Sequence, residues 1–201
     1  MPKPLVLACG ALVSELRAVL AADGLRDRIE VRYLPANLHN RPDRIVPGLR
    51  ELLAEHDPDG TRDVLIGYAD CGTGGELDAL LAERPALRRL PGNHCYEFFA
   101  GSDVFHALSE AEIGTFYLTD FLAKHFDALV WQGLGLDRHP ELRDAYFGNY
   151  TRVLLLSQTQ SDDVVAAAKA GADMLGLVFE HRHVGFAPFA DAVGVTLGKL
   201  D

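Results

Sequence analysis

Short runs of Val, Ile and Leu alternate along this chain with longer stretches in which apolar residues recur every three or four positions. That alternation admits few folds. A four- to six-residue apolar run suits a strand buried on both faces, and a helical period between two such runs supplies the crossover that parallel strands need. Pro4 to Ala8 reads as the first strand, and Leu12, Leu16, Val19 and Leu20 then share one helix face. Ile29 to Leu34 is a second strand, followed by a helix facing inward with Ile45, Leu49, Leu52 and Leu53. Val64 to Tyr68 is a third, with a helix from Gly75 to Glu83 behind it, and Leu87 to Leu90 is a short fourth, cut off by Pro91-Gly92. Later, Arg152 to Leu156 and Leu175 to Phe179 read as strands around a helix from Asp162 to Ala170, with Ser161 as its N-cap. The expected class is α/β, a doubly wound and mostly parallel sheet with helices on both faces.

The segment 102–149 breaks this rhythm and reads as helical. Thr119 is placed to cap a helix bearing Phe121, Leu122, Phe126 and Leu129, and Pro140 suits the first turn of another that runs to Phe147. This segment is either a helical insertion or a helical layer over one sheet edge. With 201 residues and no linker, repeat or low-complexity stretch, a single domain over 1–201 is the economical expectation.

Charge and composition narrow the function classes. A net charge of -10, spread without a tail, argues against nucleic acid or an anionic membrane surface as partner. No apolar run approaches the roughly 20 residues of a membrane span. Met1 to Gly10 reads as the start of the first strand and not as a signal peptide. Three cysteines, an odd number at wide spacing, suggest no disulfide framework, so a reducing, cytoplasmic compartment is expected.

The cysteines carry the functional reading. Open parallel sheets bind ligands beyond the carboxyl ends of their strands, where loops converge and helices begin. Cys9, Cys71 and Cys95 each follow one of the expected strands, so all three fall on that rim. Their separations match no compact zinc-finger spacing; position, not motif, points to a shared site. Thiolates select zinc, iron or an iron–sulfur cluster, and three protein ligands leave a position open for substrate. Gly72-Thr73-Gly74-Gly75 follows Cys71 at a helix start, where its N–H groups would hold a phosphate or carboxylate, or form a tight turn with no ligand. His39, past the second strand, is the first choice for a fourth ligand or general base. Glu97 is a candidate acid or base two residues beyond Cys95, and His94 is less suited because neighbouring side chains diverge. His181 and His183, spaced i, i+2, could serve a metal, but an ordinary surface role is the favoured reading. Gly133 to Pro140 is a further glycine-rich loop, either an anion site or a capped turn.

Several blocks together resemble one family. Leu38-His39-Asn40-Arg41-Pro42, Tyr68-Ala69-Asp70-Cys71-Gly72, Cys95-Tyr96-Glu97 and the block from Gly114 to Phe121 are similar to signature blocks of the domain of unknown function 1638 family. Gly135 to Pro140 and Tyr146 to Tyr150 resemble later blocks, and the likeness runs from Ala8-Cys9-Gly10 to Leu175-Gly176-Leu177. The family has no established activity. Its members are often found beside corrinoid-dependent methyltransferases, which implies a role in one-carbon transfer, although the Asp-x-His-x-x-Gly corrinoid pattern is absent here. The leading expectation is an enzyme that holds zinc or an iron–sulfur cluster through Cys9, Cys71 and Cys95 and acts on a small-molecule substrate. The rivals are an accessory or metal-delivery protein for a corrinoid methyltransferase system, and a metal-free thiol enzyme with Cys71 as nucleophile.

Overall fold

The structure is a computed structural model that describes residues 2–198. Tertiary contacts divide the chain into two compact units: residues up to Phe98 together with those from Phe189 onward, and Phe99–Pro188. Each unit carries its own all-parallel sheet with interleaved helices, so the α/β class holds and the strands are shared between sheets of four and three.

In the first unit, β1 (Leu5–Cys9), α1 (Val13–Ala22), β2 (Glu30–Leu34), α2 (Ile45–His56), β3 (Val64–Gly67), α3 (Glu76–Glu83), β4 (Leu87–Arg89) and α4 (Cys95–Ala100) follow in order. The strands pair as β2-β1-β3-β4. Leu5 to Ala8 are wholly buried, as a central strand covered on both faces requires. Leu5, Leu7, Val64 and Ile66 pack with Ile45, Leu49 and Leu53 of α2 and with Leu77 and Leu80 of α3. The chain leaves β1 for β2 on one side and later returns to β3 on the other. This reversal marks the switch point, beyond the carboxyl ends of β1 and β3, where sheets of this kind bind ligands.

The second unit holds α5 (Ser102–Ala111), β5 (Thr115–Leu118), α6 (Asp120–Lys124), α7 (Leu142–Phe147), β6 (Arg152–Ser157), α8 (Asp162–Leu175) and β7 (Val178–His183), in strand order β5-β6-β7. A last helix, α9 (Ala187–Leu197), belongs from Phe189 onward to the first unit, within which Phe189 stands against Phe98 with ring centres 5.5 Å apart. Two expectations need correction here. The segment 102–149 is not wholly helical, because Thr115 to Leu118 form β5, paired with β6 through Thr115↔Arg152 and Leu118↔Leu155. The last strand is not Leu175 to Phe179. Leu175 ends α8, Gly176 stops the helix at φ +67°, and the strand runs from Val178 to His183. That strand pairs on one side only and is largely exposed, so it needs no apolar run, and apolarity was the signal that the expectation followed. Thr119 does cap α6, accepting from the Leu122 N–H at 3.3 Å, whereas Ser161 precedes α8 without a side-chain cap.

Candidate thiolate site

The strand order makes neighbours of three positions far apart in sequence. Cys9 ends β1, Cys71 lies just past β3, and Cys95 opens α4 after β4. Adjacent parallel strands thus deliver all three cysteines to one rim of the first unit, and each is half-buried and unpaired in any disulfide. Gly10 is needed beside Cys9 because a Cβ there would lie 2.8 Å from the Leu34 carbonyl oxygen at the end of β2.

The loop after β3 is built around Asp70. Its carboxylate accepts from the Thr73 hydroxyl at 2.7 Å, the Gly75 N–H at 3.1 Å and the Gly74 N–H at 3.3 Å. Burial opposes ionisation of Asp70, yet these bonds outweigh it and hold its pKa below the ordinary value. The Gly72 to Gly75 loop does hold a carboxylate, its own. Backbone bonds from the Asp70 N–H to the Gly92 carbonyl (3.2 Å) and from the Cys71 N–H to the Asn93 carbonyl (2.8 Å) tie this loop to the one that leads into Cys95. Cys71 has φ +50°, alone among the described non-glycine residues in the left-handed region, a conformation that costs of order 1–3 kcal/mol. Such strain is characteristic of functional positions.

The three sulfurs differ electrostatically. Cys71 accepts from the Cys95 thiol and from backbone groups of Ala69 and Cys95, and despite burial its pKa is lowered. Donation to Cys71, followed by burial and the neighbouring sulfurs, pushes Cys95 well up. Cys9 is raised chiefly by burial, although its sulfur accepts from the Ala11 N–H at 3.5 Å. One thiol of the three is therefore predisposed to be a thiolate. Cys71 and Cys95 are linked by a thiol hydrogen bond, while Cys9 raises Cys95 electrostatically and is itself raised by Cys71. Among the described residues, no three His, Cys, Asp or Glu side chains stand around one point as a ready-made single-ion site.

A model of one protein family matches residues 33–193, most of the chain. The chain belongs to that family, Protein of unknown function (DUF1638). Neither a curated protein nor a solved structure matches it. In this family member the blocks around His39, Cys71 and Cys95 lie together past the carboxyl ends of the strands. Pro42 lies against Gly72, whose Cβ would stand 3.5 Å from the proline ring. His39 follows β2 in a short 3-10 turn (Ala36–Asn40). His39 is exposed as a residue, yet enough protein surrounds it that desolvation, with the like charge of His94 added, lowers its pKa. Glu97 is buried, and its carboxylate accepts from the Asn93 N–H at 3.0 Å; Gly92 must lack a Cβ because one there would sit 2.5 Å from that carboxylate.

Two functional neighbours escape a reading of the sequence alone. Tyr68, at the end of β3, is buried, and its hydroxyl has no hydrogen-bond partner of normal geometry. Burial and then the Cys9 and Cys71 sulfurs raise its pKa, so it remains a donor. Arg89 of β4 is gripped by Asp78 at 2.6 and 3.1 Å and donates to the Leu90 and Gly92 carbonyls, which places a fixed cation within electrostatic reach of Cys71. Tyr68 reads as a core aromatic and Arg89 as a strand-end charge, and no local pattern distinguishes them.

Proposed function

We propose that this protein is an enzyme that holds a soft metal centre through Cys9, Cys71 and Cys95 and acts there on a small molecule. One observation carries the reading: the buried Tyr68 hydroxyl, turned to the Cys9 sulfur without a hydrogen bond of normal geometry, beside a cluster of thiols that burial and mutual repulsion keep mostly protonated. A cation among the sulfurs lets all three ionise, relieves their repulsion and gives Tyr68 an anionic acceptor. When bound, such a centre supplies Lewis-acid chemistry with one coordination position left for substrate. The soft sulfur donors suit zinc or an iron–sulfur cluster. His39, its pKa lowered, is neutral near pH 7 and accepts the proton that substrate binding releases. Arg89 offers its charge to an anionic substrate, and Glu97 holds the loop that positions Cys95. In the one-carbon role that the family resemblance implies, the transferred group is a methyl and the partner a corrinoid methyltransferase component. Anaerobic purification with metal and acid-labile sulfide analysis is the test. A stoichiometric centre lost on Cys71→Ser is expected; a metal-free protein unaffected by chelator sinks the proposal.

One observation favours a second reading, a metal-free thiol enzyme. The Cys95 thiol and N–H both serve the Cys71 sulfur, which activates it as a nucleophile without any ion. In that case the metal-free protein turns over substrate, and Cys9→Ser leaves most of the activity.

A further inference from the structure

The second unit presents a separate cluster at the carboxyl edge of its own sheet. Register pairs Leu155 with His181 and Ser157 with His183, so the two histidines stand on one face of edge strand β7, beside the last residue of β6. Their rings converge on a single atom: His181 Nε2 lies 2.9 Å and His183 Nδ1 3.1 Å from the Ser157 hydroxyl oxygen. The hydroxyl has one proton and can serve one imidazole lone pair, so the other ring must turn an N–H towards it.

This point is rigidly backed. Immediately after Ser157, Gln158 and Thr159 are locked to the buried Asp120 carboxylate, which accepts from both their N–H groups at 2.9 Å. The Gln158 side chain returns the bond by accepting from the Asp120 N–H at 3.0 Å. Ser157 is wholly buried and therefore fixed, while both histidines are exposed and open to an incoming ion. Preorganised imidazoles with an open outer side, at the edge where parallel sheets bind ligands, are a chelate for a borderline divalent cation.

We infer that His181 and His183, braced by Ser157, form a second site that binds one first-row divalent transition-metal ion, with water completing the coordination. Two neutral imidazoles select cobalt, nickel, copper or zinc over magnesium or calcium, which prefer oxygen. Binding the ion puts both rings in the tautomer with a bare nitrogen on the Ser157 side, an arrangement that the hydroxyl, with one proton, can serve for only one ring. This site is independent of the cysteines.

Cobalt(II) titration of the full chain, followed by NMR of the histidine ring protons, tests the inference, and repeating it on Cys71→Ser separates it from the thiolate site. The signals of His181 and His183 should shift or broaden first, before that of exposed His139. Isothermal titration should show this binding weakened roughly tenfold or more by either His181→Gln or His183→Gln, and retained in Cys71→Ser. The inference is overturned if His139 responds at the same cobalt concentration, or if neither glutamine variant changes the affinity.

Discussion

The Tyr68 hydroxyl lies beside two sulfurs and bonds to nothing with normal geometry, which at a buried position costs roughly 1–3 kcal/mol. Removing it should therefore not harm the empty protein. Tyr68→Phe is expected to leave metal-free stability unchanged or raise it by about 1 kcal/mol in a denaturant titration, while metal affinity falls roughly 10–100-fold. A clear loss of stability would show that the hydroxyl is satisfied within the fold. Cys71 permits a pH experiment on the metal-free protein. Its lowered pKa means that the thiolate, the reactive form, is already present at a pH where an ordinary cysteine is protonated. The rate of iodoacetamide labelling at Cys71 should follow a curve displaced to lower pH than that of free cysteine. Cys95→Ala, which removes the donor thiol, should move it back up; coincident curves would refute the arrangement.

At the scale of elements, the central pairing of β1 with β3 depends on Gly67. A Cβ there would stand 2.7 Å from the Cβ of Ala8, its register partner, so the strands must part or Ala8 must shift. Gly67→Ala should cost about 1–3 kcal/mol, read as a lowered denaturation midpoint with an unchanged slope. β1, β3 and β6 were legible because strands between two neighbours are covered on both sides and announce themselves as apolar runs; β2 pairs on one side only and was read from its β-branched Ile29 and Val31 and from Leu34. β5 and β7 were not. β5 is four residues long, and its Thr115-Phe116-Tyr117-Leu118 sequence suits a helix face as readily as a strand. β7 pairs on one side only and spends its length on Glu180, His181, Arg182 and His183. The spacing of His181 and His183 was visible in the sequence, but the edge strand that aligns their two rings has no apolar signature.

At the scale of the whole molecule, several native groups bind protons less readily than in an unfolded chain. Asp78 is held low chiefly by the Arg89 hydrogen bonds. In Asp70 and Glu30 burial acts the other way, but Thr73 and the glycine N–H groups, and Arg62 with Arg32, outweigh it. His39 is lowered by desolvation. A carboxylate with depressed pKa contributes stability above its unfolded value and loses it as pH falls through the folded one. A histidine with depressed pKa likewise loses stability as pH drops below its ordinary 6.5, because the unfolded chain then takes up the proton more readily. All four therefore act in one direction. Thermal unfolding midpoints should fall monotonically from pH 7 downward, first through the histidine range and then more steeply through the carboxylate range. A midpoint that rises between pH 7 and pH 5 would contradict this account.

Composition, periodicity and the placement of Cys9, Cys71 and Cys95 after apolar runs were enough to determine that this chain is α/β with parallel strands and that its thiols fall at strand ends. These are local properties, encoded within a few residues of each position. Only the tertiary structure decided that β1, β3 and β4 are adjacent in the order β2-β1-β3-β4. It also decided that Asp70 fills its own glycine loop, and that Tyr68 and Arg89 stand beside the sulfurs. Strand order follows from which edges pair and which faces are covered, a competition among segments far apart in the chain. Residue spacing carries no record of its outcome.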